Sequence, residues 1–150
     1  MLLPILIALL CARACTQPTA AIPPIIVAAG RGDAAEVSAL LASGADPNTL
    51  SPDSETPLHV AAITGDPATV SALLAAGANP NARAPPGTQL SMTPLQWATY
   101  GGHEEMVRLL LASGADAGLR DDNGKSAADM AREAGHKAVL RLLESISGEL

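Results

Sequence analysis

The chain has 150 residues, a length that suits one domain, and its formal net charge is −6 at pH 7. Hydrophobic residues make up 48% of it but aromatic residues only 1%, so the composition favours thin, closely packed helices over a β-sandwich or β-barrel core. The 9 lysine and arginine residues are scattered along the chain. This argues against a nucleic-acid partner or an anionic membrane surface, because both require clustered cations.

The chain begins with an apolar run over residues 1–10 that is interrupted only by Pro4. The run is shorter than the roughly 20 residues that cross a membrane. Its length is typical of the apolar region of a secretory signal. We therefore expect a signal peptide over residues 1–14, a tether over residues 15–21, and export to a bacterial periplasm.

Three interpretations of this segment remain open. In the first, it is a bacterial lipoprotein signal, and Cys15 becomes the lipidated first residue that anchors the protein to a membrane. A small residue before Cys15 and a polar stretch after it are similar to that type, whereas Ala12 and Arg13 depart from it. In the second, cleavage follows Ala14 or occurs near Ala21. In the third, the apolar terminus is not cleaved.

The clearest pattern in the rest of the chain begins at Thr56-Pro57. Threonine is a good helix N-cap and proline fits the first helical position, so this pair predicts a helix start. Gly65 predicts the end of that helix, because glycine adopts the left-handed conformation at little cost. Asp66-Pro67 predicts the start of a second helix and Gly77 its end. The unit is therefore helix, tight turn, helix and loop.

The same unit recurs along the chain. The glycines that end the first helix are spaced by 33, 37 and 33 residues: Gly32, Gly65, Gly102 and Gly135. The apolar residues of the second helix recur in the same phase: Val37/Leu40/Leu41, Val70/Leu73/Leu74, Val107/Leu110/Leu111 and Leu140/Leu143. The longer step reflects an insertion around Pro85-Pro86, before the third unit.

The segment Thr56-Pro57-Leu58-His59-x-Ala-Ala, followed by Gly65 and by Leu73-Leu74-x-x-Gly77-Ala78-x-x-Asn81, resembles the ankyrin repeat. Thr93-Pro94-Leu95-Gln96 repeats it with glutamine in place of histidine. The resemblance covers roughly residues 22–146 and implies an all-α solenoid of four helix-turn-helix units with hairpin-like tips. The expected units are about 22–49, 50–82, 88–119 and 120–146. A frayed tail over residues 147–150 is expected to follow them.

No catalytic, cofactor or metal site is expected. His59 belongs to the Thr-Pro-Leu-His motif, in which the family uses the imidazole to hydrogen-bond neighbouring turns. His103 and His136 lie 33 residues apart and each follows a helix-ending glycine. Both cysteines lie within the first 15 residues, and neither HExxH, CxxC nor a phosphate-binding glycine loop occurs. We therefore expect a protein that is not an enzyme.

The resemblance implies a monomeric module that binds another protein through a concave face of tips and first helices. The alternative is a small inhibitor or immunity-type protein that occludes an enzyme, which the acidic balance permits. The family's variable positions and the inserted segment together predict the partner-binding residues: Asp53, Glu55, Ile63, Arg83, Gln89, Leu90, Met92, Tyr100, Arg120, Asp122 and Lys125.

Tyr100 is the only tyrosine and is the expected anchor of this face, because aromatic and methionine side chains are enriched at interface centres. We expect Met92 and Leu90 to flank it. Trp97 aligns with Val27, Val60 and Met130 and is expected in the core.

Overall fold

The computed structural model describes residues 21–83 and 91–147, and it is all-helical over these residues. The helices are α1 (Pro24–Arg31), α2 (Ala34–Ala42), α3 (Pro57–Thr64), α4 (Pro67–Ala75), α5 (Pro94–Tyr100), α6 (Glu104–Ala112), α7 (Ala127–Ala134) and α8 (Lys137–Ser147). None of these helices has the length and apolar character needed to cross a bilayer.

The helices form two rows, and this arrangement confirms the predicted solenoid of helix-turn-helix units. The first helices of the units, α1, α3, α5 and α7, contact one another in that order. The second helices, α2, α4, α6 and α8, form the other row. Leucine, valine and alanine side chains between the rows are fully buried, with Leu58, Leu73 and Leu95 among the largest. Each pair therefore covers its apolar side with its neighbours.

Local sequence rules fix where the first helices begin. Thr56 accepts a hydrogen bond from the backbone N–H of His59, and the His59 imidazole accepts one from the backbone N–H of Thr56. This reciprocal arrangement satisfies two otherwise unpaired donors. Thr93 and Gln96 form the same capping box at the start of α5.

Side chains also hydrogen-bond across the boundaries between units. The Asn48 side chain donates to the carbonyl of Gly77 at 3.1 Å and accepts from the backbone N–H of Asn79 at 2.7 Å. Asn81 makes the same pair of bonds with Gly114 and Asp116. These bonds fix the loops of successive units in register.

The predicted hairpin-like tips are present in the second and fourth units. In the second, the backbone N–H of Ser51 donates to the carbonyl of Glu55 at 2.9 Å. In the fourth, Asp121 donates to Lys125 at the same distance, beside an antiparallel bridge between Arg120 and Ser126. The inserted Pro85-Pro86 segment, the signal peptide and all of the tether except Ala21 lie outside the described residues. At the other end α8 continues through Ser147, one residue into the predicted frayed tail.

Candidate protein-binding face

We call one side of the four first helices the first-helix face and define it by Val27, Val60, Ile63, Trp97, Tyr100, Met130 and Glu133. Two aligned positions supply it. Val27, Val60, Trp97 and Met130 share one register, and Ile63, Tyr100 and Glu133 share the other. Val27 is 37% exposed, whereas Met130 is buried. The face is therefore largely apolar, with a carboxylate at its C-terminal end.

Tyr100 is the most exposed large hydrophobic side chain on this face, at 52%. Its ring lies edge-on to that of Trp97, with 6.3 Å between the ring centroids and an interplanar angle of 85°. Trp97 is half-buried rather than a full core residue, so the expectation for Trp97 was wrong in part. Trp97 aligns with Val27, which is exposed, so this alignment could have indicated a surface position for the tryptophan.

Met92 does not flank Tyr100, which corrects the expected grouping. Met92 precedes the N-cap of α5, and Tyr100 is the last residue of that helix. The helix has 7 residues, so about 10 Å of helix axis separates them at 1.5 Å per residue. Met92 is half-buried, and its carbonyl accepts a hydrogen bond from His59.

A shallow depression of about 450 Å³ lies between α5 and α7, lined by Tyr100, Met130, Glu133 and Ala134. The Glu133 carboxylate accepts a hydrogen bond from the Lys125 ammonium at 2.6 Å. This bond raises the pKa of Lys125 above its ordinary value. The depression is therefore lined by an aromatic ring, two apolar side chains and a carboxylate.

The tip of the second unit carries two carboxylates. Both are predicted partner-binding residues; Asp53 is exposed, whereas Glu55 is only 7% exposed. Burial raises the pKa of Glu55, and the nearby Asp53 carboxylate raises it further. Among the residues that the structure describes, no hydrogen-bond or ion-pair partner contacts either carboxylate.

Charge pairs hold the tip of the fourth unit to Arg83 on one side and to α7 on the other. The Arg83 guanidinium lies 3.6 Å from the Asp122 carboxylate, and that of Arg120 lies 3.5 Å from Asp129. Arg83, Arg120 and Asp122 are exposed, and Ile63 and Lys125 are half-buried. Three predicted functional residues, Gln89, Leu90 and the lipidation residue Cys15, lie outside the described residues.

The histidines occupy structural positions between units. A Cβ atom built on Gly65 would lie 2.7 Å from Cε1 of His103, so this imidazole packs against the glycine of the preceding unit. His136 packs in the same way on Gly102, and its Nε2 atom donates to the carbonyl of Tyr100 at 3.1 Å. Over residues 21–83 and 91–147, no group of three or more His, Cys, Asp and Glu side chains could hold a metal ion.

Comparison with protein families gives matches to ankyrin repeats along most of the chain. The model for many copies of ankyrin repeats matches residues 58–111 and 95–144, and the model for three copies matches residues 3–84. A search of curated proteins gave no match. Ankyrin repeats are generally protein–protein interaction modules. The chain therefore belongs to the ankyrin-repeat family.

Proposed function

We propose that this protein binds a segment of another protein on the concave side of its repeat array, as a monomer and without catalysing a reaction. The tips and the first-helix face together form the proposed contact surface. Family membership supports binding as the general role, and the chemistry of this surface supports its location.

The exposed Tyr100 ring is the observation that carries the proposal. An aromatic side chain that is 52% exposed beside a half-buried tryptophan and an open depression is typical of the anchor at an interface centre. The fold leaves about half of this ring exposed to solvent. It gains burial only when a partner covers it.

A photo-crosslinking experiment tests this location. A benzophenone amino acid replaces Tyr100 in one variant and Ile146, which is 45% exposed on α8, in the control. We expect a discrete protein adduct from position 100 and none from position 146 in cells of the source organism. The same adducts from both positions, or none from position 100, would contradict the proposed face. Thermal unfolding checks that both variants are folded.

We further propose that the protein is exported and anchored to a membrane through Cys15. The apolar run before residue 11 and the small residue that precedes Cys15 support this proposal. The family match that begins at residue 3 overlaps the predicted signal and supports the alternative of an uncleaved terminus. Mass spectrometry of the mature protein decides between them. We expect an acylated N-terminal Cys15 that is lost in Cys15→Ser; a mature chain that retains residues 1–14 would refute the anchor.

A further inference from the structure

The net charge of the chain is concentrated in residues 32–82. Residues 32–82 contain six aspartate and glutamate residues and no lysine or arginine, and in the rest of the chain nine acidic residues balance nine basic ones. This one stretch therefore accounts for the whole formal charge of −6. A partner that contacts the second unit meets a negative potential that no cation of that unit offsets.

Three of the six carboxylates have local structural roles. Asp33 and Asp66 cap helices by accepting backbone N–H groups, and Asp46 accepts from the N–H of Asn48. Glu36 is exposed on α2, in the row of second helices. Only Asp53 and Glu55 lie on a tip, on the side of the array where the partner is proposed to bind.

The second tip differs in its charge balance from the fourth, which is the other tip that lies wholly within the described residues. Arg83, Arg120 and Lys125 each lie within 4 Å of a carboxylate of the fourth unit. Asp53 and Glu55 have no such cation among the described residues. Glu55 is also already largely desolvated by the fold. A cation placed beside it gains a stronger electrostatic attraction than it would at a fully hydrated carboxylate.

We infer that the partner segment bound by this face is basic as well as apolar. A lysine or arginine side chain lies against the Asp53 and Glu55 carboxylates, and an apolar or aromatic side chain covers Tyr100. This inference rests on the proposed function and adds the chemical class of the partner. Because the attraction is electrostatic, it acts on the association rate, which falls as salt screens the charges.

A peptide selection tests the inference with a defined probe. Random peptides displayed on phage are selected on the wild-type chain, with the variant Tyr100→Ala used to discard peptides that bind elsewhere. We expect the retained peptides to be enriched in lysine or arginine together with an apolar or aromatic residue. Their dissociation constants are then measured by calorimetry on the wild type and on two double variants.

The double variants change the charge equally at different places. Asp53→Asn with Glu55→Gln neutralises the second tip, and Glu36→Gln with Glu105→Gln neutralises two exposed carboxylates on the second helices. We expect the first pair to weaken binding by about tenfold or more, and the control pair by less than about twofold. Thermal unfolding of both double variants shows that each remains folded.

The outcomes separate this inference from the proposed function. Tyr100-dependent peptides that lack basic residues, or that bind the tip variant as tightly as the control, would overturn the inference and leave the proposed face intact. Failure to select any Tyr100-dependent peptide would count against both the inference and the proposed function.

Discussion

The Nε2 atom of His59 donates a hydrogen bond to the carbonyl oxygen of Met92 at 3.1 Å and so joins the second unit to the third. A carbonyl oxygen can only accept, so Nε2 carries the proton. The Nδ1 atom is then left to accept from the backbone N–H and the hydroxyl of Thr56. His59 is 2% exposed, and its neutral imidazole satisfies every group around it.

This arrangement predicts a loss of stability at mildly acidic pH. Burial lowers the pKa of His59 below its ordinary value of 6.5, and the carbonyls of Met92 and Ala82 offset only part of that effect. At pH values between the lowered pKa of His59 in the folded state and 6.5, the unfolded chain binds more protons than the folded one. The free energy of unfolding therefore falls as the pH falls below about 6.5. Urea unfolding at about pH 7.5 and about pH 5 measures the change.

The variant His59→Gln provides the matched control. At the equivalent position of the third unit, Gln96 accepts from the backbone of Thr93 and donates to the carbonyls of Leu119 and Lys125. A glutamine at position 59 should thus keep the inter-unit bonds and remove the titration. The raised pKa of Glu55 acts in the opposite direction and is common to both proteins. If the variant shows the same acid sensitivity as the wild type, His59 is not its source.

A second prediction concerns the packing of His103 on Gly65. Gly65 has φ of +80°, and an added Cβ would lie 2.7 Å from the His103 ring. Gly77 has φ of +91° with nothing within 4 Å of its would-be Cβ. Both alanine variants suffer backbone strain of about 1–2 kcal/mol. Gly65→Ala should lose a further 1–3 kcal/mol, roughly, from overpacking, because the ring also lies against Gly101 and cannot easily move aside.

Urea unfolding of Gly65→Ala and Gly77→Ala measures this difference directly. Equal losses in the two variants would mean that the His103 ring moves freely and that its contact with Gly65 contributes nothing to stability.

Much of the fold could be predicted from the sequence because helix boundaries here obey local rules. The Thr56-Pro57 and Thr93-Pro94 pairs begin helices through their own side chains and ring geometry. Gly65 ends its helix because the left-handed conformation is intrinsic to glycine. The 33-residue phase then places these local events in one array.

The details of the binding face could not be predicted in this way, because they depend on contacts between units. The family resemblance implies a variable, partner-binding position at Glu55, yet packing around the second tip buries it. Met92 is eight residues before Tyr100, and a whole helix separates them. The T-shaped contact of Tyr100 with Trp97 follows from side-chain orientation, which the repeat spacing alone does not specify. The partner-binding roles of these residues stay predictions.

The last prediction uses two threonines that are both fully buried in helices. The Thr69 hydroxyl donates to the Asp66 carboxylate, whereas the Thr99 hydroxyl has no hydrogen-bond partner within the described part of the chain. Thr99→Val removes an unpaired buried polar group, so it should raise the free energy of unfolding by about 1 kcal/mol. Thr69→Val breaks a hydrogen bond and should lower it by about 1 kcal/mol or more.

Calorimetric melting of the two valine variants tests these opposite signs. Alanine occupies the positions aligned with Thr99 in the first two units, Ala29 and Ala62, so the repeat accommodates it there. Comparison of Thr99→Ala with Thr99→Val separates the effect of the hydroxyl from that of side-chain volume. A lowered melting temperature in Thr99→Val would show that the hydroxyl is satisfied in solution, for example by a buried water. A raised melting temperature would show that the third unit keeps a buried polar group that its packing does not need.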